Sequence, residues 1–339
     1  MEKNRQNPLR RFLSIRGMNS ALIAFAALIV IYTAFGLKER TVFSMESIFN
    51  LLRSMSKYLI IGIGQSYLLI TGNIDLSIGS VVGMSAMISA TLMTHAVNPF
   101  VAALITLVCC LSIGFVNGFL VGKCQLPPFI ATLGTMFCAR GIAYMVNNNR
   151  NTDAIASGIG KDTARSFQNM FYYEKTLGVP NTFWVALVVF IVFFFLLSKT
   201  RTGRHIYAIG SNVEAAKLSG VSVFATTTKA YMVSAFCAFV VGLILCAQAS
   251  MGNMEAGNTY EMYAVAAGVI GGISPLGGTG LLLGTFAGAA VWQTLETGLN
   301  MIGAPVGLQR IAIGVIVVLS VLLDVVVRRG TFNKKRAAS

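Results

Sequence analysis

The side chains with chemical potential in this chain are the polar groups that interrupt its long apolar stretches. The first interruption reads TGNIDLSIGS, from residue 71 to 80, and places Asn73, Asp75 and Ser77 between two hydrophobic runs. Asp75 could cap a helix that begins at Leu76, because an aspartate there accepts a backbone N–H. Alternatively, these residues form a break inside a membrane, where a carboxylate is a functional candidate. The sequence leaves both interpretations open.

Residue patterns for catalysis, for metal binding and for nucleotide binding do not occur in the sequence. No hydrophobic span carries a His/Glu or Ser/Lys pair at catalytic spacing. His95 and His205 stand alone and the cysteines form no CxxC pair, so we expect neither a metal site nor disulfides. The phosphate-binding pattern GxxxxGKS/T is also absent. We therefore expect that the chain is not an enzyme and binds no cofactor.

Composition indicates a membrane protein. The mean hydropathy is +0.72 and only 11% of residues are charged, whereas soluble domains average about 25%. Of the 26 Lys and Arg residues, 16 fall in segments 1–19, 199–229 and 328–339 and at Lys123. Such an excess marks cytoplasmic segments, so the net charge of +14 indicates membrane orientation rather than nucleic-acid binding. We predict an all-α polytopic membrane protein with about ten transmembrane helices and cytoplasmic N- and C-termini.

One transmembrane domain is predicted over residues 20–327, between a basic cytoplasmic segment 1–19 and a basic cytoplasmic tail 328–339. Its longest polar connections are a predicted outer loop, 147–181, and a predicted cytoplasmic loop, 199–229. An amphipathic segment at 44–57 is expected to lead into the second span. The predicted spans are Ala21–Leu37, Tyr58–Ile70, Leu76–Thr94, Phe100–Val121, a fifth that begins at Pro127, Phe183–Leu197, Ala230–Ala249, Tyr260–Ile273, Leu281–Leu295 and Ile311–Val327.

The cytoplasmic loop contains a predicted short helix, GSNVEAAKLSGV. Asn212 can cap its start, because asparagine side chains accept hydrogen bonds from the free N–H groups of a first turn. Gly220 is expected to end it, because glycine readily adopts the left-handed conformation found after helix C-termini. The residues between them favour helix. A short helix on the cytoplasmic face offers a surface that a soluble partner can bind.

Glu214, Ala215 and Ala216, with Gly220 four positions later, resemble the EAA-type coupling loop of bacterial ABC importer permeases. Four longer segments occur in the order GNIDLSIGS, NGFLVGKCQLPPFIATLGTMFCARG, RTGRHIYAIGSNVEAAKLSGV and GVIGGISPLGGTG. Together they resemble the permease subunits of ribose-, galactose- and xylose-type ABC importers, the second carbohydrate uptake family, over residues 50–328. No Leu-Pro pair follows Gly220, unlike in maltose-type permeases.

The resemblance implies a transport complex in the bacterial plasma (inner) membrane. In such a complex, a separate ATP-binding-cassette ATPase with two fused domains binds ATP and Mg²⁺, and an extracytoplasmic sugar-binding protein delivers the substrate. Two permeases, identical or related, form the path through the membrane lipid. The residues implied in coupling to the ATPase are Asn212, Glu214, Ala215, Ala216, Lys217, Ser219 and Gly220.

A path for neutral, hydroxyl-rich monosaccharides is expected to offer hydrogen-bonding groups rather than charge. Asn117 either faces such a path or pairs with another helix, and Phe129 could narrow the path or stack on a sugar ring. The candidate path residues are Gln65, Asn73, Asp75, Ser77, Asn117, Phe129, Thr132 and Gln248.

Two other transporter classes stay open at this point. A permease of the same fold could import a nucleoside, an autoinducer-type sugar or an amino acid. An ion-coupled secondary transporter would need paired carboxylates within the membrane, for which Asp75 and Glu296 are the candidates. Transport that needs the proton gradient rather than ATP would indicate the second class.

Overall fold

The computed structural model describes residues 17–309 and, beyond them, residues 311, 312, 314, 315, 318, 319 and 322. Most of the predicted N-terminal segment 1–19, most of the last predicted span and the whole tail 328–339 lie outside the described residues. The described chain is mostly helical, which confirms the predicted all-α class. Sheet in these residues is limited to two short antiparallel strands, β1 (Lys175–Thr176) and β2 (Val179–Pro180).

The helices follow one another with short connections. The first five are α1 (Met18–Lys38), α2 (Met45–Thr71), α3 (Ile78–Thr94), α4 (Pro99–Gly122) and α5 (Pro128–Met145), with a 3₁₀ turn at Arg40–Phe43. The predicted outer loop contains α6 (Ala156–Ile159), α7 (Lys161–Gln168) and a π-helical turn at Asn169–Tyr173. The others are α8 (Asn181–Lys199), α9 (Arg201–Ser211), α10 (Val213–Leu218), α11 (Val223–Ala249), α12 (Tyr260–Ile270) and α13 (Leu282–Met301).

Several of these helices have the length and composition of membrane spans. Helices α1, α4, α8 and α11 are long and apolar enough to cross a bilayer, and α3 and α12 are shorter apolar helices. The amphipathic segment and the second predicted span form one continuous helix, α2, as expected. The third span begins later than predicted: α3 starts at Ile78 instead of Leu76.

Two further helix bounds differ from the prediction for local reasons. α11 begins at Val223 instead of Ala230, because the Ser222 hydroxyl accepts a backbone N–H from the first turn and caps the helix. α12 ends before Ile273, because Gly272 adopts a φ of 82°, a left-handed conformation that stops a helix. The sequence showed the apolar runs but not these caps.

α3 lies at the centre of the bundle, where 14 of its 17 residues are buried. Every residue of α2 from Tyr58 to Thr71 is buried as well. α11 packs against both of these helices and against α4. The peripheral helices α4 and α8 expose large apolar side chains, among them Phe100, Val108 and Val188. Such faces suit contact with lipid tails, which are as apolar as these side chains.

α4 and α11 approach each other closely at two glycines of α4, Gly114 and Gly118. A Cβ atom at Gly114 would stand 2.7 Å from the Ala235 Cβ, and one at Gly118 would stand 2.7 Å from the Thr228 Oγ1. Real Cβ atoms essentially never come within 3.0 Å of a neighbour. Small residues at such positions let two membrane helices pack backbone to backbone, so this contact requires glycine.

We expect Gly118→Leu to destabilise the bundle, because overpacking a well-packed contact costs about 1–3 kcal/mol or more. The measurement is the midpoint of thermal unfolding of the purified protein in detergent. Gly134→Leu in α5 is the matched control, because no atom lies within 4 Å of its Cβ position. Equal midpoints for the two variants would contradict the close approach of α4 and α11.

Candidate functional site

The segment between α2 and α3, residues 72–77, is called the break segment here. Gly72 reverses the chain with a φ of 77°, and the Asn73 N–H donates back to a carbonyl of α2 at 2.9 Å. The Gln65 amide pairs with both backbone groups of Asp75 when its nitrogen is oriented toward the carbonyl and its oxygen toward the N–H. Its Nε2 donates to the Asp75 carbonyl at 3.2 Å, and its Oε1 accepts the Asp75 N–H at 3.3 Å. The break segment is thereby fixed along the last turns of α2.

Two other helices bind the backbone of the break segment. The Tyr231 hydroxyl of α11 donates to the Ile74 carbonyl at 3.0 Å. The Leu76 N–H donates to the Thr132 hydroxyl of α5 at 3.2 Å. Irregular backbone at membrane depth is tolerated only where protein or a water-filled cavity surrounds it. Side chains of α2, α5 and α11 supply that surrounding here.

Asp75 is buried, and both of its carboxylate oxygens accept hydrogen bonds. Oδ1 accepts the Ser77 backbone N–H at 2.8 Å and the Ser77 hydroxyl at 2.5 Å. Oδ2 accepts the Ser234 hydroxyl of α11 at 2.7 Å. Because Asp75 holds residues 75–77 in a turn, α3 starts at Ile78 and not at the predicted Leu76. The structure combines the two sequence interpretations: Asp75 caps a turn, and it does so inside a buried break.

Asn117 of α4 connects this turn to α5. Its Nδ2 donates to the Ser77 hydroxyl at 2.9 Å, and its Oδ1 accepts the Thr135 hydroxyl at 2.7 Å. Of the two roles that the sequence left open, the structure shows Asn117 pairing between helices. One polar group of side chains results, called the break cluster below: Gln65, Asp75, Ser77, Asn117, Thr132, Thr135, Tyr231 and Ser234.

Three of the predicted path residues lie apart from the break cluster. Asn73 is half-buried at its edge, where its Nδ2 donates to the Thr71 hydroxyl at 2.8 Å. Phe129 exposes 56% of its surface on the outside of the bundle. Gln248 lies near the other end of α11, where its Oε1 accepts a hydrogen bond from Lys57 Nζ at 3.1 Å. The structure does not bring these three together with the other predicted residues.

The break cluster also contains Tyr231 and Ser234, which the sequence did not single out. They lie three positions apart on α11, so one face of that helix presents both hydroxyls. Hydroxyl residues are frequent in apolar spans, and their spacing does not show which group they bind. The available signal was the carboxylate in the break, because a buried carboxylate needs hydrogen-bond donors and polar residues of other spans could supply them.

The predicted short helix of the cytoplasmic loop is present as α10, and its two ends are confirmed. The Asn212 Oδ1 accepts the Ala215 N–H at 2.9 Å. After the helix, Gly220 has a φ of 81° and its N–H donates to the Lys217 carbonyl at 2.9 Å. Glu214 and Lys217 form an exposed ion pair of 2.8 Å, which contributes little to stability. The role of these residues in coupling stays a prediction.

A further helix, α9, precedes α10 where the sequence predicted only a polar interruption. It buries Ile206 and Ile209 on one face, a face that the basic residues around them obscure in the sequence. The Tyr207 hydroxyl donates to the Gly280 carbonyl at 2.7 Å. Burial raises the pKa of Tyr207 to about 12, so this hydroxyl keeps its proton at neutral pH. α9 is thereby fixed to the loop between α12 and α13.

We expect Asp75→Ala to destabilise the protein, because it leaves the Ser234 hydroxyl and the Ser77 N–H without this acceptor. A buried polar group that loses its partner costs about 1–3 kcal/mol. Asp75→Asn keeps an acceptor and should cost less. The midpoint of thermal unfolding in detergent measures both, and Asp153→Ala, at an exposed acid, is the control. A midpoint for Asp75→Ala equal to that of the control would show that the break cluster does not stabilise the fold.

Comparison with known proteins assigns the chain to a family. A family model described as branched-chain amino acid transport system / permease component matches residues 47–321. The ribose import permease protein RbsC of Escherichia coli K12 is 33% identical over 304 residues, which cover 90% of this chain and 92% of the relative. The ribose import permease protein RbsC of Bacillus subtilis is 31% identical over 91% of this chain and 94% of its own.

A third relative, the D-allose transport system permease protein AlsC of Escherichia coli K12, is 32% identical over 88% of this chain and 90% of its own. No solved structure matches the chain. The resemblance to sugar-importer permeases that the sequence motifs indicated is confirmed. The chain belongs to the family of transport-system permease components that the matching model describes, and its relatives there include permeases named for ribose and allose.

Proposed function

We propose that this chain is the membrane-spanning permease subunit of an ATP-binding-cassette importer that moves a monosaccharide into the bacterial cytoplasm. The observation that carries this function is the similarity over 90% of the chain to a ribose import permease. Relatives named for allose and fructose match over 88% and 84% of the chain. Similarity of this extent covers the spans, the break segment and the cytoplasmic loop together.

We place the chain in the plasma (inner) membrane with ten crossings and both termini in the cytoplasm. The contacts between loops support this topology. The Thr152 N–H donates to the Gly252 carbonyl at 3.0 Å, so the 147–181 and 250–259 loops share one face, the outer one. The Gly278 N–H donates to the Ile70 carbonyl at 2.8 Å, and Tyr207 reaches Gly280, so the 271–281 loop, the end of α2 and α9 share the other face.

Energy enters through α10, which we assign as the contact for a separate ATPase with two fused domains. Leu218 exposes 91% of its surface, and Val213 is also exposed. Apolar side chains that stand so far from the core, outside the membrane, suit burial against a partner. We expect ATP and Mg²⁺ to bind in that ATPase rather than in this chain. A sugar-binding protein docks on the outer loops, and a second copy or a related permease completes the path.

The contacts of α9 suggest how a push on α10 reaches the membrane. α10 follows α9 directly at Asn212. α9 is hydrogen-bonded to the 271–281 loop through Tyr207, and that loop is bonded to the end of α2 at Ile70. A displacement of α9 therefore moves the loop and the start of the break segment together. Opening of the cytoplasmic end of the path is the expected result.

We expect Leu218→Asp to release the ATPase, because a carboxylate would have to be desolvated in an apolar contact. The measurement is the amount of ATPase subunit that copurifies with the tagged permease. Leu177→Asp is the matched control, because Leu177 exposes 87% of its surface on the β-hairpin at the outer face. Copurification of equal amounts with both variants would contradict the assignment of α10.

A second candidate substrate class comes from the family model, whose description names branched-chain amino acids. The same fold would then import an amino acid, and nucleosides or autoinducer-type sugars belong to the same group of alternatives. An ion-coupled transporter that uses Asp75 and Glu296 is the remaining class. The substrate and the energy source separate these alternatives.

We expect that deletion of this gene in the source bacterium abolishes uptake of D-ribose, D-allose or D-fructose at micromolar concentration and that a plasmid copy restores it. Uptake of the labelled sugar should stop when ATP is depleted and persist when an uncoupler removes the proton gradient while ATP is maintained. Loss of leucine uptake instead would favour the amino-acid importer. Collapse of uptake with the proton gradient alone would exclude an ABC importer.

A further inference from the structure

We propose that the permease binds its monosaccharide in a cavity between the break segment, α12 and α13, with Tyr263 and Trp292 against the sugar ring and Glu261 and Glu296 accepting its hydroxyls. The assignment rests on the proposed function and names a site that lies outside the break cluster. The cavity has a volume of about 540 Å³, within the 300–1,000 Å³ range typical of small-molecule sites. Its walls include Ile74 and Leu76 of the break segment.

The aromatic part of the cavity has the chemistry to hold a sugar face. The rings of Tyr263 and Trp292 lie 5.1 Å apart between centroids, inclined by 42°, and both line the cavity. The face of an aromatic ring carries partial negative charge, which attracts the weakly positive C–H groups of a sugar ring. Two inclined rings offer such faces on one wall.

The indole N–H of Trp292 is a hydrogen-bond donor without an acceptor in the described structure. The Trp292 side chain is only 4% exposed. A buried donor without a partner costs about 1–3 kcal/mol, so it calls for a ligand or another explanation. The Nε1 atom itself is buried, so a sugar hydroxyl or ring oxygen would accept this hydrogen bond only after the indole turns toward the cavity.

The two carboxylates provide the acceptors that hydroxyl groups need. The Glu296 Oε2 accepts the Tyr58 hydroxyl at 3.2 Å, and in the described part of the chain no group donates to its Oε1. Glu261 lines the cavity, and no side chain among residues 17–309 donates to its carboxylate. Hydrogen bonds from hydroxyls to carboxylates are among the stronger ones in proteins. The pair can therefore orient a polyhydroxylated ligand.

The charges around the cavity bear on the class of ligand that it can hold. The described residues that line the cavity include no Lys or Arg. The carboxylate of an amino acid would meet Glu261 and Glu296 with no Lys or Arg among these described residues to pair with it, which is unfavourable in a site of low polarity, whereas its ammonium group would be attracted by the same two carboxylates. A neutral monosaccharide brings no such charge. A small cation attracted by the two carboxylates is the other ligand class, and the experiment below separates it.

Tryptophan fluorescence can report binding at this site, because the chain has only 2 tryptophans, Trp184 and Trp292. Trp184→Phe leaves Trp292 as the only indole. We expect a saturable change in its emission when D-ribose, D-allose or D-fructose is added to this variant in lipid nanodiscs. Adding Glu296→Gln, which keeps the shape of the side chain, should weaken the apparent affinity at least tenfold. No response to any of the three sugars would overturn the site, and a response to sodium or pH alone would assign it to a cation.

Uptake in the source bacterium separates failure of the site from failure of the proposed function. We expect Trp292→Phe, which removes the N–H, and Glu296→Gln to reduce sugar uptake at least tenfold, with unchanged amounts of permease and of copurified ATPase. Trp184→Phe, at the start of α8, should take up sugar like the parent. Wild-type uptake by both cavity variants would overturn the site while the importer function stands. A parent strain without ATP-dependent sugar uptake would overturn the function itself.

Discussion

The rest of this bundle depends on one constraint: the backbone N–H and C=O groups of the break segment need hydrogen-bond partners. The segment is neither helix nor strand, and it is enclosed by helices whose outer faces are apolar. Each unpaired backbone group in such surroundings costs several kcal/mol. Gln65, Thr132 and Tyr231 meet this demand from three different helices. The hydrogen-bonding demand of a few backbone residues thus fixes α2, α5 and α11 relative to one another, and Asn117 adds α4 through the Ser77 hydroxyl.

The side chains of the break segment lie in two different surroundings. Asp75 and Ser77 point into the break cluster, whereas Ile74 and Leu76 line the cavity beside α12 and α13. The hydrogen bonds of Asp75 therefore hold the segment whose Ile74 and Leu76 form a wall of the cavity. The residues assigned to the sugar lie on the other side of that wall.

The sequence was sufficient to predict those elements that depend on residues adjacent in the chain. Apolar runs predicted the helices, and Asn212 and Gly220 predicted the ends of α10, because caps depend on a few adjacent residues. The assembly of the break cluster could not be predicted, because the polar residues of α3 and α11 are not gathered on one face and so do not show how each helix is oriented. For the same reason, nothing along the chain singles out Tyr263 and Trp292 or shows that Phe129 lies on the outside of the bundle. Their surroundings are set by neighbours that are distant in sequence.

The loop between α12 and α13 joins the proposed power stroke to the proposed binding site. The Gly280 carbonyl of this loop accepts the hydrogen bond of the Tyr207 hydroxyl from α9. The two ends of the loop continue into the helices that carry Tyr263 and Trp292. Because packed helices shift as rigid bodies, a displacement of this loop changes the inclination of α12 against α13 and with it the separation of the two rings. If the stroke moves the two rings apart, release of the sugar and opening of the cytoplasmic end occur in the same movement.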